Sequence, residues 1–309
     1  MPRPEVSGQR EQDGPKQDDP KQDDLSAVEA GLDALDAPVH QEPPRRLRTV
    51  LFNVLPPIAA LVVLILIWQA LWASALWPEY KLPAPGEVWA EFWSRASNGE
   101  VLSIIWTSVH RAVLGFAIAV AVATPLGLLV AKVPIVRAAL GPLITGMQGL
   151  PSVAWVPAAV LWFGIEDPAL YFVVLLGSIP SITNGLVSGI DQIPPILPRV
   201  GKSLGASNLA AVRHILLPAA LPGYLSGLKQ GWAFSWRSLM AAELIATSPA
   251  LGLGLGAYLQ QGNDLSEMSM VITAIFLILL VGISIELLVF RPLERHVLHS
   301  RGLTGAMAK

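Results

Sequence analysis

Residues 103–130, SIIWTSVHRAVLGFAIAVAVATPLGLLV, form a nearly continuous apolar run that carries one charged side chain, Arg111. An α-helix needs about 20 residues to cross a hydrocarbon core about 30 Å thick. The run is long enough for that crossing and contains no cluster of turn residues. It therefore predicts a transmembrane helix between Ser103 and Val130.

Comparable runs recur along the chain, which is 53% hydrophobic and 14% charged over 309 residues. A soluble domain rarely has this composition. The sequence therefore predicts an all-α polytopic membrane protein with six transmembrane helices. They lie near residues 50–75, 103–130, 143–163, 169–190, 221–246 and 269–290.

Lysine and arginine gather at alternate connections between these runs, and loops rich in them stay on the cytoplasmic side of a membrane. The basic groups precede the first run and follow the second, fourth and sixth: Arg45, Arg46, Arg48, Lys132, Arg137, Arg199, Lys202, Arg213, Arg291, Arg295 and Arg301. The intervening connections are acidic or neutral on balance, with Glu79, Glu87, Glu91, Glu100, Glu166, Asp167, Asp264 and Glu267. The pattern predicts that both termini are cytoplasmic.

The first 45 residues differ from the rest, because they repeat Pro-Lys-Gln-Asp-Asp and contain few large apolar side chains. Such a segment buries too little surface to fold. We expect residues 1–45 to be a disordered cytoplasmic tail, with a docking or regulatory role as the alternative. Residues 46–100 hold the first span and an outer interfacial helix, residues 101–295 a core with a cytoplasmic helical insert at about 195–219, and residues 296–309 a second cytoplasmic tail.

Two runs carry a small residue at every fourth position, a pattern that lets transmembrane helices approach closely. The residues are Gly115, Ala119, Ala123 and Gly127 in the second run, and Gly223, Gly227, Gly231 and Ser235 in the fifth. They predict a compact helix bundle, with a dimer seam as a further interpretation. Gly252, Gly254 and Gly256 predict a flexible outer connection.

The third run contains Pro151 and Pro157, which should bend or break its helix at mid-membrane depth. Irregular backbone at that depth is tolerated where it is buried or lines a water-filled cavity. A translocation path near Trp155 and a purely structural kink both remain open.

Ionisable residues within a membrane usually face protein or water. The fifth run contains Lys229, Arg237 and Glu243. We expect Arg237 to supply positive potential to the path of an anionic substrate and Glu243 to lie near an outer gate, with structural ion pairing or capping as the alternative for both. Lys229 and Arg111 are expected to snorkel towards the interface.

The cytoplasmic insert at residues 199–218 predicts two short helices. The first covers residues 199–204, Gly205 supplies a positive φ, Ser207 caps the second helix and Pro218 ends it. Leu209, Val212 and Leu216 share an apolar stripe, with Arg213 and His214 beside it. A rigid projection of this kind is suited to docking into a groove of another protein.

This insert resembles the signature of permease subunits of ATP-binding-cassette importers, in the branch that serves nitrate, sulfonate and taurine. Gly205, Ile215, Leu217 and Pro218 hold the spacing of that signature, whereas Arg199, Val200 and Gly201 stand in place of its Glu-Ala-Ala. Further resemblance lies in SVHRAVLGF (108–116), PLG (125–127), GLPSVAWVPAAVLWFGI (149–165) and SWRSLMAAELI (235–245). The resemblance as a whole extends over about residues 82–291.

The resemblance implies a type I importer bundle in a bacterial cell membrane. It implies a second permease copy as a homodimer, two copies of a cytoplasmic ATPase that bind ATP and Mg, and an external substrate-binding protein. The residues expected to couple to the ATPase are Arg199, Lys202, Gly205, Ala206, Ser207, Arg213, Ile215, Leu217 and Pro218. Those expected on the substrate path are Trp155, Trp236, Arg237 and Glu243.

This chain itself is then a non-catalytic subunit that binds no cofactor and no nucleic acid. It has no cysteine, and its five histidines lack metal-ligand spacing. The expected solute is an aliphatic sulfonate, nitrate or taurine, with a thiamine precursor or another heterocycle as the alternative. A secondary transporter or channel is the alternative from another class, and it would not need the docking insert.

Overall fold

The structure is a computed structural model that describes residues 46–206 and 208–299, and these residues form helices and connections without a strand. The predicted tail at residues 1–45 lies outside the described residues, as does the C-terminal segment from residue 300 onward. Contacts divide the chain into two units, residues 1–63 and 64–309. The all-helical fold class is confirmed.

Twelve α-helices follow one another along the described residues. Their bounds are α1 Arg46–Ala73, α2 Pro85–Ser97, α3 Glu100–Lys132, α4 Pro134–Gly149, α5 Val156–Phe163, α6 Asp167–Asp191, α7 Ile196–Ser203, α8 Asn208–Ala211, α9 Leu217–Ile245, α10 Leu255–Asp264, α11 Met268–Ile285 and α12 Arg291–His299. Turns of 3₁₀-helix lie at Ser152–Trp155 and Pro249–Leu251, and turns of π-helix at Val212–Leu216 and Glu286–Phe290.

Three described segments are long and apolar enough to cross a membrane: Glu100–Lys132, Asp167–Asp191 and Met268–His299. The helices α4 and α5 qualify together as a fourth, although they are bent by 98° at their junction. The first and fifth predicted spans are also helical, in α1 and α9. Six spans therefore remain compatible with the described residues, while length and apolar character alone support three or four.

The third predicted span is not one helix. The α4 helix ends at Gly149, and the backbone of Leu150 and Pro151 is extended or irregular before the chain re-enters 3₁₀ and then α-helix. Pro151 has no amide hydrogen to continue the α4 ladder and disfavours helical backbone at Leu150. The predicted break is confirmed at Pro151, whereas Pro157 lies in the first turn of α5 and does not interrupt it.

The centre of the fold is the close contact between α6 and α9. A Cβ at Gly185 would collide with the backbone of Gly227, and one at Gly223 would lie 2.6 Å from the Cα of Gly189. Backbone approach of this kind requires glycine on both helices. The small-residue stripe of α9 is therefore covered by α6 of the same chain, and the interpretation of this stripe as a dimer seam is wrong.

The stripe of α3 also packs against α6. A Cβ at Gly115 would lie 2.9 Å from Cγ1 of Val174, and one at Gly127 would lie 3.0 Å from a methyl carbon of Leu186. Ala119 and Ala123, between them, are fully buried. The two stripes thus place α3 and α9 in contact with α6 and fix the core that carries the polar site residues.

The α2 helix is amphipathic, with Val88 buried and with Trp89 and Trp93 exposed. Glu91 connects α2 to α10, because the Tyr258 hydroxyl of α10 donates to Glu91 Oε1 over 3.0 Å. Within α2, Arg95 Nε donates to the same oxygen over 2.5 Å. Burial and the Glu91 carboxylate both raise the pKa of Tyr258. Tyr258 therefore remains a donor at physiological pH.

Candidate functional site

A buried polar cluster joins α3, α6, α9 and the connection after α9. Arg111 Nε donates to Asp167 Oδ1 over 2.8 Å, and Arg111 Nη1 donates to Glu243 Oε1 over 3.2 Å. Arg111 Nη2 donates to the carbonyl of Leu251. Ser108 donates to the second oxygen of Glu243 over 2.6 Å. Buried charges are tolerated when they are paired and hydrogen-bonded, as Arg111 and Glu243 are here, while Asp167 meets Arg111 from an exposed position.

This cluster corrects three expectations. Arg111 does not snorkel, because its residue is 5% exposed and its guanidinium is held by two carboxylates. Glu243 is 2% exposed and lies in the core, so the structural alternative describes it. Gly254 and Gly256 are closely packed, since a Cβ at Gly254 would lie 2.6 Å from both carboxylate oxygens of Glu243 and the Gly256 amide donates to that carboxylate, whereas a Cβ at Gly252 would meet nothing within 4 Å.

The break between α4 and α5 opens a first cavity, with a volume of about 330 Å³. Its walls come from the end of α4, the 3₁₀ turn, α6 and α9. They are formed by Met147, Gln148, Gly149, Leu150, Pro151, Ser152, Val153, Gly177, Phe234, Arg237 and Ala241. None of these lining residues is acidic, so the charge in the first cavity is that of Arg237.

Arg237 is exposed and its Nε donates to the carbonyl of Ala233 over 3.1 Å. Its guanidinium lies 4.6 Å from the ring centroid of Phe234. It forms no ion pair with any residue of the described segments. The guanidinium thus keeps its charge and most of its donors available.

Arg237 also lines a second cavity of about 520 Å³ along α9. The second cavity is lined by Ser226, Lys229, Gln230, Trp232, Ala233, Trp236, Arg237, Gly282 and Glu286. Trp232 and Trp236 stack with ring centroids 6.4 Å apart. Arg237 is therefore a lining residue that the two cavities share.

Lys229 does not simply snorkel, because its Nζ lies 2.5 Å from a Glu286 oxygen and 3.5 Å from one of Glu294. The charge of Lys229 is thereby compensated by two carboxylates. Of the two basic residues in α9, Arg237 is the one left to act on an anion.

Of the four residues predicted on the substrate path, two line one or both of these cavities and two line neither. Arg237 lines both cavities and Trp236 lines the second. Trp155 is half-buried in the 3₁₀ turn, outside the lining of either cavity, and Glu243 lies in the buried cluster. Sequence reasoning missed Gln148, Ser152 and Ser238. The one feature of the sequence that could have identified them is that each is a polar residue within an apolar run.

The predicted docking insert at residues 199–218 contains the expected turn. The α7 helix covers Ile196–Ser203, and Gly205 follows with a φ of 80°, as predicted. The Ala206 amide donates to the carbonyl of Gly201 over 3.0 Å, which closes the C-terminal turn of α7. Ser207, the expected cap, lies outside the described residues.

Gly201 stands at the third position of the Glu-Ala-Ala signature and packs against Ile215. A Cβ at Gly201 would collide with Cδ1 of Ile215, a residue that holds the signature spacing. Gly201 and Ile215 thus fit each other across the turn. Arg199, Lys202 and Arg213 are exposed, and Leu204 is 82% exposed at the tip. The segment presents basic groups beside apolar side chains.

Pro218 does not end the second helix, contrary to expectation. The chain continues from α8 through the π-helical turn Val212–Leu216 into α9, with Pro218 in the first turn of α9. Proline fits the first turn, and a π-turn accommodates the hydrogen-bond shift that its missing amide imposes. The helical segment from Asn208 onward is therefore continuous with the helix that carries Arg237.

Comparison with known proteins gives a consistent result. The family model described as "Binding-protein-dependent transport system inner membrane component" matches residues 123–295. The chain is 31% identical over 189 residues to a putative ABC transporter permease of Methanocaldococcus jannaschii, covering 61% of this chain and 70% of that protein. It is 29% identical over 245 residues to the taurine transport system permease of Escherichia coli, covering 78% and 87% of the two chains. It is 28% identical over 243 residues to a nitrate import permease of Synechocystis, covering 76% and 86%.

Proposed function

The chain belongs to the family of binding-protein-dependent transport system inner membrane components, and from this premise we propose that it forms the translocation path for a small anionic solute. It is a non-catalytic permease subunit of an ABC importer and a multi-pass membrane protein. Its family implies an ATPase and a substrate-binding protein as partners. The solute, the coupling contact and the stoichiometry belong to the proposal.

The observation that carries the anionic solute is the unpaired charge of Arg237, which lines two cavities. An uncompensated guanidinium at the wall of a cavity attracts anions and offers planar, bidentate hydrogen bonding to an oxyanion. Relatives named for taurine and nitrate transport support the same class. The proposed solute is therefore an aliphatic sulfonate, nitrate or taurine, with a thiamine precursor or another heterocycle as the alternative.

Coupling is proposed to run through residues 199–218. The exposed basic and apolar residues of this segment give an ATPase a surface to engage, and the helix beyond the π-turn leads to Arg237 without an intervening loop. Movement of the segment would then shift α9 and both cavities. The full assembly contains two permease copies, two ATPases that bind ATP and Mg, and one external binding protein, with both permease termini cytoplasmic.

Uptake by Arg237→Gln tests the anionic path. We expect uptake of radiolabelled nitrate or taurine by proteoliposomes with ATPase and binding protein to fall at least about tenfold, because a charged hydrogen-bonding partner is lost. Arg295→Gln, which removes an exposed arginine of α12, is the matched control and should transport normally. Co-purification with the ATPase confirms assembly of both variants. Normal oxyanion uptake by Arg237→Gln would contradict the proposal.

A further inference from the structure

Two serine hydroxyls meet at the wall of the first cavity, beside Arg237. Ser152 Oγ, in the turn that follows the broken helix, lies 2.6 Å from Ser238 Oγ on α9. Ser152 lines the first cavity, whereas Ser238 is 1% exposed. This hydrogen bond connects the turn to the residue that directly follows Arg237.

The number of hydrogens in this pair indicates which hydroxyl donates and which accepts. Each hydroxyl has one hydrogen, and the pair uses one of the two. Neither hydroxyl has another hydrogen-bond partner within the described segments. If Ser152 were the donor, the buried Ser238 hydrogen would have no acceptor, and an unsatisfied buried donor is costly. Ser238 therefore donates to Ser152, and the Ser152 hydrogen is left available to a ligand in the first cavity, which Ser152 lines.

Gly177 on α6 makes room for this arrangement. A Cβ at Gly177 would collide with Ser238 Oγ and lie 3.4 Å from Ser152 Oγ. The hydroxyl pair is thus held between two helices and the turn, with its position fixed by packing. A donor that is fixed before a ligand arrives loses little conformational entropy on binding.

The remaining polar groups of the first cavity also favour an acceptor-rich ligand. Arg237 has its two terminal nitrogens unengaged by the described residues, and Gln148, another lining residue, donates through Nε2 to Ser181 over 3.4 Å. No lining residue is acidic. A guanidinium and an oriented hydroxyl together match a headgroup with several oxygen acceptors.

We propose that Ser152, oriented by Ser238, is a specificity-determining hydrogen-bond donor for an oxyanion headgroup held by Arg237. This inference rests on the proposed function, because it assumes that the solute passes Arg237. Donation from Ser238 polarises the Ser152 hydroxyl and strengthens the bond that it gives. A spherical anion such as chloride is attracted by the charge of Arg237. It benefits less than an oxyanion from the directional hydrogen bonds of Arg237 and Ser152.

The absence of cysteine from the chain allows a direct test. Val153, which lines the first cavity and is 37% exposed, is changed to cysteine as a reporter. The full chain, purified with its ATPase in lipid nanodiscs, is labelled with a sulfonate-bearing methanethiosulfonate reagent in the presence of increasing nitrate, taurine or chloride. The half-protecting concentration of each anion is measured in the reporter background and in further variants.

Nitrate and taurine are expected to protect the reporter at lower concentrations than chloride. Ser152→Ala should raise the half-protecting nitrate concentration about tenfold, since a hydrogen bond to a charged group is lost. Ser238→Ala should raise it about threefold, because the polarising donor is lost but the Ser152 hydroxyl remains. Ser152→Thr should retain most of the protection.

Ser178→Ala is the matched control, because Ser178 is a buried serine whose hydroxyl donates to the carbonyl of Val174 in its own helix. It should leave protection unchanged. If Ser152→Ala matches Ser178→Ala while Arg237→Gln abolishes protection, the role of Ser152 is wrong and the path past Arg237 stands. If no oxyanion protects the reporter, or chloride protects as well as nitrate, the oxyanion site itself is wrong.

Discussion

At the scale of single residues, Glu243 determines whether the buried cluster holds. Its carboxylate accepts from Ser108, Arg111 and the amide of Gly256. Glu243→Gln should destabilise the protein by about 3 to 5 kcal/mol, because it leaves buried Arg111 without one of its two carboxylates. Thermal unfolding of the purified complex measures this change. The exposed Glu79→Gln is the control, and equal melting temperatures for the two variants would contradict this role.

Gly205 allows a test of backbone conformation without a change of packing. Its φ is 80°, and a Cβ there would meet nothing within 4 Å. Gly205→Val should disturb the turn by about 1 to 2 kcal/mol, since β-branched residues avoid this region, whereas Gly205→Asn should be tolerated. We expect Gly205→Val to lower the ratio of solute transported to ATP hydrolysed. The same ratio in both variants would show that the turn is not needed for coupling.

The sequence identified some of these residues and missed others for physical reasons. Arg237 was predicted because a charge within an apolar run is rare and costly. Ser152 and Ser238 were missed because serine is common in transmembrane helices and its hydroxyl usually bonds its own backbone. Arg111 was misassigned because its partners, Asp167 and Glu243, are distant in sequence and meet it only through the tertiary fold.

At the scale of helices, the α6–α9 contact predicts a severe effect of added volume. A Cβ at Gly227 would lie 2.6 Å from the Cα of Gly185, and the neighbouring backbone cannot give way cheaply. Gly227→Val should therefore abolish monodisperse protein on size-exclusion chromatography. Gly141→Val, which meets nothing within 4 Å in α4, controls for the helix propensity of valine. A normal elution profile for Gly227→Val would disprove this packing.

Proline shows how far helix boundaries could be predicted. Pro151 breaks a helix as expected, while Pro125, Pro180 and Pro222 lie within α3, α6 and α9. Neighbouring helices and local π-turns can satisfy the groups that proline frees, and these are properties of the assembled bundle. The apolar runs therefore predicted where helices lie, but proline alone did not predict where they end.

At the scale of the whole molecule, the apolar composition and the signature spacing were sufficient to predict the helical fold and the importer family, and the family match confirms both. The orientation of the termini, the tails and the permease dimer remain predictions. A homodimer places two copies of Arg237 in one transporter. The solute path would then be formed by both copies, and coupling would act on both α9 helices at once.

The most direct test of the central claim is ATP hydrolysis by the purified permease with its co-expressed ATPase in lipid. The external binding protein is added empty or loaded with taurine, an alkanesulfonate, nitrate or a thiamine-type pyrimidine. We predict that the two proteins purify together and that a binding protein loaded with one of the oxyanions stimulates hydrolysis above the empty protein. Stimulation by the pyrimidine alone, or a permease that associates with no ATPase, would contradict an oxyanion importer coupled through residues 199–218.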